Sequence, residues 1–437
     1  MVLKAMYSGV SGLRAEGEAL GVIGDNIANV NSTGFKKQRA LFQDVLGHSI
    51  LAGSGSSLPG SGVKIGDIQQ MFEQGTVSAT GVGTDVALNG DGFFTVKGGV
   101  NGVQGNFFTR AGTFVLDKDG YLVNPNGLQV QGYAANGDGT FAASISSVQA
   151  PTAAIPPRAT TSTTIVANLD ATEATPLLPW DAQDPANTSN FSTTQTVYDD
   201  LGGAHTLDIY FRKTADNTFD WHALVAGGDT NNPAAAGTNV DVGTGTLTFN
   251  NDPAAGTVGA LQNVSANAVS VTFAGIAAAQ NITVDFGTSI AANGTGLDGV
   301  SQFASPENVS SQSQDGYSSG DFSGISIDGE GVVMGLYTNG QKLALSQLAI
   351  AKFRSNDGLG RAGQSLWIDT RDSGSAAMGT AGSGGRGSAS AGALEASNVD
   401  LAEEFVGLIQ HQRSFSANSK TITTADEMLQ ELINIKR

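Results

Sequence analysis

The stretch from Ser397 to Arg437 constrains this chain more than any other. Its apolar residues fall at Leu401, Phe405, Leu408, Phe415, Ile422, Ala425, Leu429 and Leu432, and Gln412 and Ser419 fill the gaps at the same phase. The steps alternate between three and four residues. That is the seam of a coiled coil, narrower than the apolar face of a globular helix. Ser397, with Asp400 three residues later, reads as a capping box at the start. Glu403 and Glu404 in the early turns, and Lys436 and Arg437 in the last, suit the helix dipole. One helix cannot bury a seam against itself, so this one needs a partner.

The other end of the chain offers it. Leu3, Tyr7, Val10, Leu13, Gly17, Leu20, Ile23 and Ile27 repeat with nearly the same rhythm. Gly9, Gly12, Gly17, Gly21 and Gly24 lie in the same segment. Each interior glycine costs about 0.8–1.0 kcal/mol against alanine, so the segment is expected to be helical only when packed. Glycines also let two backbones approach closely. Asn29, Asn31, Ser32, Thr33 and Gly34 supply the stop. The chain therefore begins and ends in helices that pack on each other or on copies of themselves.

Between them the texture changes. The 437 residues leave room for two or three domains. Cysteine is absent, which excludes disulfides, thiolate metal sites and a cysteine nucleophile. The net charge is −18: residues 1–50 carry +1 and residues 390–437 carry −3, so the middle holds −16. Such an acidic middle argues against nucleic acid and anionic membranes as partners. No apolar run approaches the ~20 residues of a membrane span, so no membrane insertion is expected. No secretory signal peptide is legible in the first thirty residues. The protein is expected to be cytosolic or to leave by a route without a cleaved signal.

The expected fold is mainly β with α-helical termini, in which nested, discontinuous β-domains of sandwich or barrel type accompany a coiled-coil-like helix pair. Residues 1–33 form the N-terminal core helix and 34–70 a linker region containing the basic cluster Lys36, Lys37 and Arg39. Residues 71–157 begin an inner β-domain, with turns at Asp117–Gly120 and Asn124–Gly127. Pro151, Pro156 and Pro157 mark a boundary. Residues 158–306 form an inserted β-domain, where Leu207, Ile209 and Phe211, Leu247 and Phe249, Val269, Val271 and Phe273, and Ile282, Val284 and Phe286 alternate with polar neighbours. Residues 307–370 complete the inner domain. Residues 371–396, rich in glycine and serine, read as a second linker before the core helix 397–437.

Catalytic and ligand motifs are missing from this sequence. His48, His205, His222 and His411 share no metal-ligand spacing, and no phosphate loop occurs. Asp117-Lys118-Asp119-Gly120 resembles the start of a calcium loop but lacks the distal carboxylate, so a turn is expected. The adjacent acids Asp199 and Asp200 read as a surface turn, and His411 as a packing residue. No catalytic residue, cofactor or metal is expected.

The ends carry a specific resemblance. Ser11-Gly12-Leu13 and Gly24-Asp25-Asn26-Ile27-Ala28-Asn29-Val30-Asn31-Ser32-Thr33-Gly34-Phe35-Lys36 resemble the N-terminal signature of the flagellar rod and hook proteins. Ser397-Asn398-Val399-Asp400-Leu401, Gln412-Arg413-Ser414-Phe415 and Ala425–Leu432 resemble the matching C-terminal signature. Phe107–Gly112, Gln195–Leu207, Ser313–Tyr317 and Gly335–Gly340 are similar to the hook branch of that family.

The resemblance implies a non-enzymatic structural subunit of the bacterial flagellum. It implies a homopolymer that forms a curved, torque-transmitting tube around the export channel. Its implied partners are rod and hook–filament junction proteins, a hook cap during assembly, and the type III export apparatus. An extracellular location is implied too. Subunit contacts are then expected at Leu3, Tyr7, Val10, Leu13, Leu20, Ile27, Leu401, Phe405, Leu408, Phe415, Ile422, Leu429 and Leu432. The family's export motif, an early phenylalanine with an aliphatic residue four places on, matches Phe42 and Leu46. A short helix with both on one face is the alternative reading of that pair. A distal rod subunit and an exported β-rich adhesin are the rival functions. The adhesin would need an aromatic platform, for which the insert offers Trp180 and Trp221.

Overall fold

The alternating strands of the middle of the chain turn inward as a set. In the computed structural model, which describes residues 2–46, 60–137, 139–151, 153–232, 235–254 and 256–435, Leu207, Ile209, Phe211, Leu247, Phe249, Val269, Val271, Phe273, Ile282, Val284 and Phe286 join one buried cluster with Trp221. They belong to a unit made of Ala153–Phe322 and Tyr337–Gln341, here called the inserted unit. One of its two five-stranded sheets is an antiparallel meander through 191–198, 204–215, 218–226, 239–249 and 261–264. The other is built around Ser162–Asp170, flanked by 280–285, 301–303 and 308–314. Ile165, Ala167 and Leu169 face the meander's apolar side chains, so the pair of sheets is a sandwich. Burying each such side chain is worth about 1.5–3 kcal/mol, and this cluster has enough of them to sustain a core.

The rest of the chain, Met1–Thr152, Ser323–Leu336 and Lys342–Arg437, forms the terminal unit. Part of its main sheet runs from Lys342–Leu348 through Gln129–Ala135, Phe93–Val100, Val103–Thr109 and Leu366–Ile368 to Gly360–Gly363. Phe93, Phe108, Ala351, Phe353, Leu359 and Trp367 cluster beneath it. A long helix stands at each end of the chain: α1 (Val2–Ala28) and, beyond the single turn α2 (Pro185–Thr188) of the inserted unit, α3 (Leu401–Ile435).

Turn chemistry repeats in both units. Asp117, Asn124, Asp199 and Asp328 each accept the amides two and four residues on. The residue three places on is glycine in each, with φ between +75° and +84°. An Asx acceptor followed by a left-handed glycine closes a tight hairpin cheaply. Asp117 is therefore a turn residue, as expected.

Four expectations fail. The insert does not end at residue 306, because Asn308–Gln314 pairs antiparallel with Ser162–Asp170 and closes its sheet. Residues 371–396 are not a linker: Ala377–Gly379 pairs with Ile350–Lys352, Ser388–Ala391 with Val86–Asn89, and Ala393–Glu395 with Val77–Ala79. Gly374, Gly382, Gly384, Gly385 and Gly392 have positive φ, so they turn the chain between short strands. The region 34–70 holds an antiparallel ribbon of β1 (Gln38–Leu46) and β2 (Gly60–Gln70). Residues 47–59 of that expected linker lie outside the described residues. The capping box is also replaced: Asp400 Oδ1 accepts the amides of Ala402 and Glu403, while Ser397 Oγ accepts that of Val399.

Candidate assembly interface

The two terminal helices pair antiparallel within the chain, but not along the expected seam. Five contacts fix the register. Ile422 Cγ1 lies 2.9 Å from the place a Cβ would take at Gly9, and the Asn418 side chain fills the equivalent place at Gly12. His411 Nδ1 meets Glu16 Oε2 at 2.5 Å. Ile23 reaches over Gly407, and Asn26 Nδ2 donates to Glu404 Oε1 at 3.0 Å. Paired residue numbers sum to about 430 throughout, as two straight antiparallel helices require. Asn26 also bridges to the ribbon, since its Nδ2 donates to the Gln38 carbonyl and its Oδ1 accepts the Gln38 amide.

The face of α3 that meets α1 thus runs through Glu404, Gly407, His411, Asn418 and Ile422. With 3.6 residues per turn, it lies about a quarter-turn from the line Leu401, Phe405, Phe415. The two faces merge at Ile422, after which Ala425 is buried and Leu429 half-buried. Leu408 is half-buried, whereas Leu401, Phe405 and Phe415 are 40%, 51% and 39% exposed. On α1, Val10, Leu13, Leu20 and Ile27 are half-buried, and Tyr7 is 68% exposed. The side chains of Leu3 and Leu432 lie outside the described residues. Of these glycines, Gly9 and Gly12 make the expected close approach; among the described residues, Gly17, Gly21 and Gly24 meet nothing within 4 Å.

Phe42 lies in β1, so the short-helix reading of Phe42 and Leu46 is overturned. Its ring stacks on His411 at 5.9 Å, and it remains 40% exposed. The side chain of Leu46 lies outside the described residues. Burial raises the pKa of Glu404, while Asn26 and Lys37 act in the opposite direction.

Where the helices join the β-structure, a buried ionic centre forms. Lys36 Nζ donates to Glu395 Oε1 and to the Glu73 carbonyl, each at 2.6 Å. Arg110 Nη1 stands 3.4 Å from Glu395 Oε2, and the Gly75 amide donates to Glu395 Oε1. Lys36 and Glu395 side chains are fully buried and that of Arg110 is 4% exposed. Burial lowers the pKa of both Lys36 and Arg110, and Glu395 opposes the shift in each. Beside it, Asn398 accepts the Lys37 amide and donates to the carbonyls of Met71 and Glu73. Lys36 and Asn398 sit inside the two terminal signatures, so the signatures encode a joint as well as a helix face. Glu395 lay in the supposed linker and carried no sequence signal of its own.

Trp221 is fully buried in the insert's core and cannot form a platform. Trp180 stacks on His222 at 4.0 Å. Among the described residues no helix is long and apolar enough to cross a membrane.

Four family models match, in chain order. They are Flagella basal body rod protein (residues 6–36), Flagellar hook protein FlgE/F/G D1 domain (87–168), Flagellar basal body protein FlaE D2 domain (168–317) and Flagellar basal body rod FlgEFG protein C-terminal (390–435). Together they define a subunit of the flagellar axial class. The flagellar hook protein FlgE of Salmonella typhimurium is 36% identical over 431 residues, covering 98% of each chain. That of Treponema pallidum is 35% identical over 480 residues, with 100% of both covered, and that of Escherichia coli is 35% identical over 99% of this chain and 100% of its own. The chain belongs to the flagellar hook protein family. Among solved structures, the Helicobacter pylori flagellar hook protein FlgE2 matches with a TM-score of 0.49 and 16% identity, covering 71% of this chain and 98% of that one.

Proposed function

We propose that the chain is the structural subunit of a bacterial flagellar hook. Copies of it polymerise into a curved tube that encloses the export channel and carries torque from rod to filament. The observation that carries this reading is an apolar seam left open by its own chain: Leu401, Phe405 and Phe415 face outward on α3. Tyr7, Gly17, Gly21 and Gly24 lie open on α1. The outward face of α3 packs against the open glycine face of α1 in a neighbouring copy. Such a head-to-tail contact repeats along a helix instead of closing on itself. The insert favours hook over distal rod, because a D2 domain model matches residues 168–317.

The test replaces Phe405 and Phe415 by serine in the full chain. Exposed positions of this kind change monomer stability by no more than about 0.5 kcal/mol. The expected result is an unchanged melting curve and no tubes by negative-stain electron microscopy after salting-out. Tubes as abundant as those of the native chain would refute the reading.

The proposed partners are the rod, the hook–filament junction, the hook cap and the type III export apparatus. Phe42 and Leu46 serve as the export signal. Export through that apparatus is expected to fall at least about tenfold in Phe42→Ala, which corresponds to about 1.4 kcal/mol of recognition. Secretion at the native level would place the signal elsewhere.

A further inference from the structure

The inserted unit carries most of the chain's charge imbalance. Residues 153–322 contain 17 acidic and 3 basic side chains, a net −14 out of −18. The remainder of the chain has 23 acidic and 19 basic side chains. The three cations of the inserted unit are engaged inside it. Lys213 is buried and donates to the carbonyls of Ala171 and Glu173. Arg212 donates to those of Pro176 and Leu178. Arg158 pairs with Asp315 at 3.2 Å. Both histidines also face carboxylates, His205 between Asp199 and Asp229, and His222 against Asp241. The surface therefore presents carboxylates to any neighbour and offers no uncommitted Lys or Arg in return.

A small domain stays soluble with a net charge of about 2–8 and both signs interspersed, so solubility alone does not call for this surface. Like charge of this size acts between copies. It reaches about 30 Å at 0.01 M salt but only about 8 Å at 0.15 M.

We propose that the inserted units of neighbouring copies form a mutually repelling acidic layer, so that ionic strength gates assembly. The inference rests on the tube reading above. The terminal helices supply the attraction, and the inserted units oppose it until salt screens them. No bound cation is required, since diffuse counterions suffice.

The experiment compares the native chain with one carrying Glu173→Gln, Asp200→Asn, Asp216→Asn, Asp252→Asn, Asp298→Asn and Asp321→Asn, which brings the inserted unit from −14 to −8. Asp252 and Asp298 accept backbone amides, and an asparagine oxygen can accept them equally well. Circular dichroism and melting curves confirm that both chains are folded. The readout is the lowest protein concentration that yields tubes in about 10 mM and about 150 mM NaCl, where the screening lengths differ most usefully. The native threshold should fall at least about tenfold between the two, and that of the variant by less than about threefold. Tubes that form equally well in both salts, or a variant that keeps the native dependence, would overturn the inference and leave the tube reading standing. No tubes from either chain under any salt would overturn the tube reading and this inference with it.

Discussion

In the inserted unit the apolar side chains of the strands are largely consumed: both sheets contribute to one cluster that includes Trp221, Phe211 and Phe286, each at most 2% exposed, and its exposed Leu177, Leu178, Leu201, Val258 and Leu297 lie in connecting segments. In the terminal unit they are not. Leu401, Phe405, Val406, Ile409, Phe415, Met428 and Ile433 on α3 are 39–67% exposed. The charges are arranged the other way round. The inserted unit spreads unbalanced carboxylates over its surface, while the terminal unit buries Lys36, Arg110 and Glu395 together at the joint. A unit with a closed core can afford a repellent surface. A unit that must bind copies of itself keeps apolar surface in reserve and fixes its geometry with buried charge. The lesson is that the two halves are stabilised by different physics and should break separately.

The largest effects test that separation. Trp221→Ala removes a fully buried indole from the sandwich and should cost about 3–5 kcal/mol. Glu395→Gln leaves Lys36 and Arg110 buried without their counter-charge, and also costs about 3–5 kcal/mol. Scanning calorimetry of the full chain should show two transitions. Trp221→Ala lowers one of them and Glu395→Gln the other. A single shared transition, or either variant lowering both, would mean that the units do not differ in the way described.

The sequence was most legible where one residue type decides the outcome. Period-two alternation placed Leu207, Ile209 and Phe211 on the core side, and all are fully buried. Asp117 followed by Gly120 announced its turn. What stayed hidden depends on pairs of residues far apart in the chain. Gly12 marks a helix contact only because Asn418 fills its groove, and His411 matters because Glu16 stands opposite. A search for apolar periodicity passes over such positions, so it picked out the outward apolar stripe of α3 and missed the face that meets α1. Glu395 was illegible for the same reason, since its partners come from three other segments of the chain. The glycines of 374–392 looked like slack because composition alone does not separate a linker from a series of tight turns between short strands. The buried centre at Lys36 and Glu395 argues for a stiff joint there.

A smaller effect, of opposite sign in the free and assembled states, separates the two kinds of glycine in α1. Gly9 and Gly12 are pressed against α3, and a Cβ at either would collide with Ile422 or Asn418. Gly17, Gly21 and Gly24 meet nothing among the described residues, so in a single chain they only weaken the helix. Replacing these three by alanine should stabilise the free chain by about 2–3 kcal/mol, three times the usual cost of a helical glycine. If the open face receives α3 of a neighbouring copy, the added methyl groups hold the two backbones apart and the tubes are lost. Thermal melting of the monomer and electron microscopy of the salted-out chain measure the two effects independently. A melting point that rises while tubes form normally would show that this face is idle, and the contact surface would have to be sought around Tyr7 and Val10 instead. A melting point that does not rise would show that the glycines are already packed in the free chain, contrary to the open surface seen here.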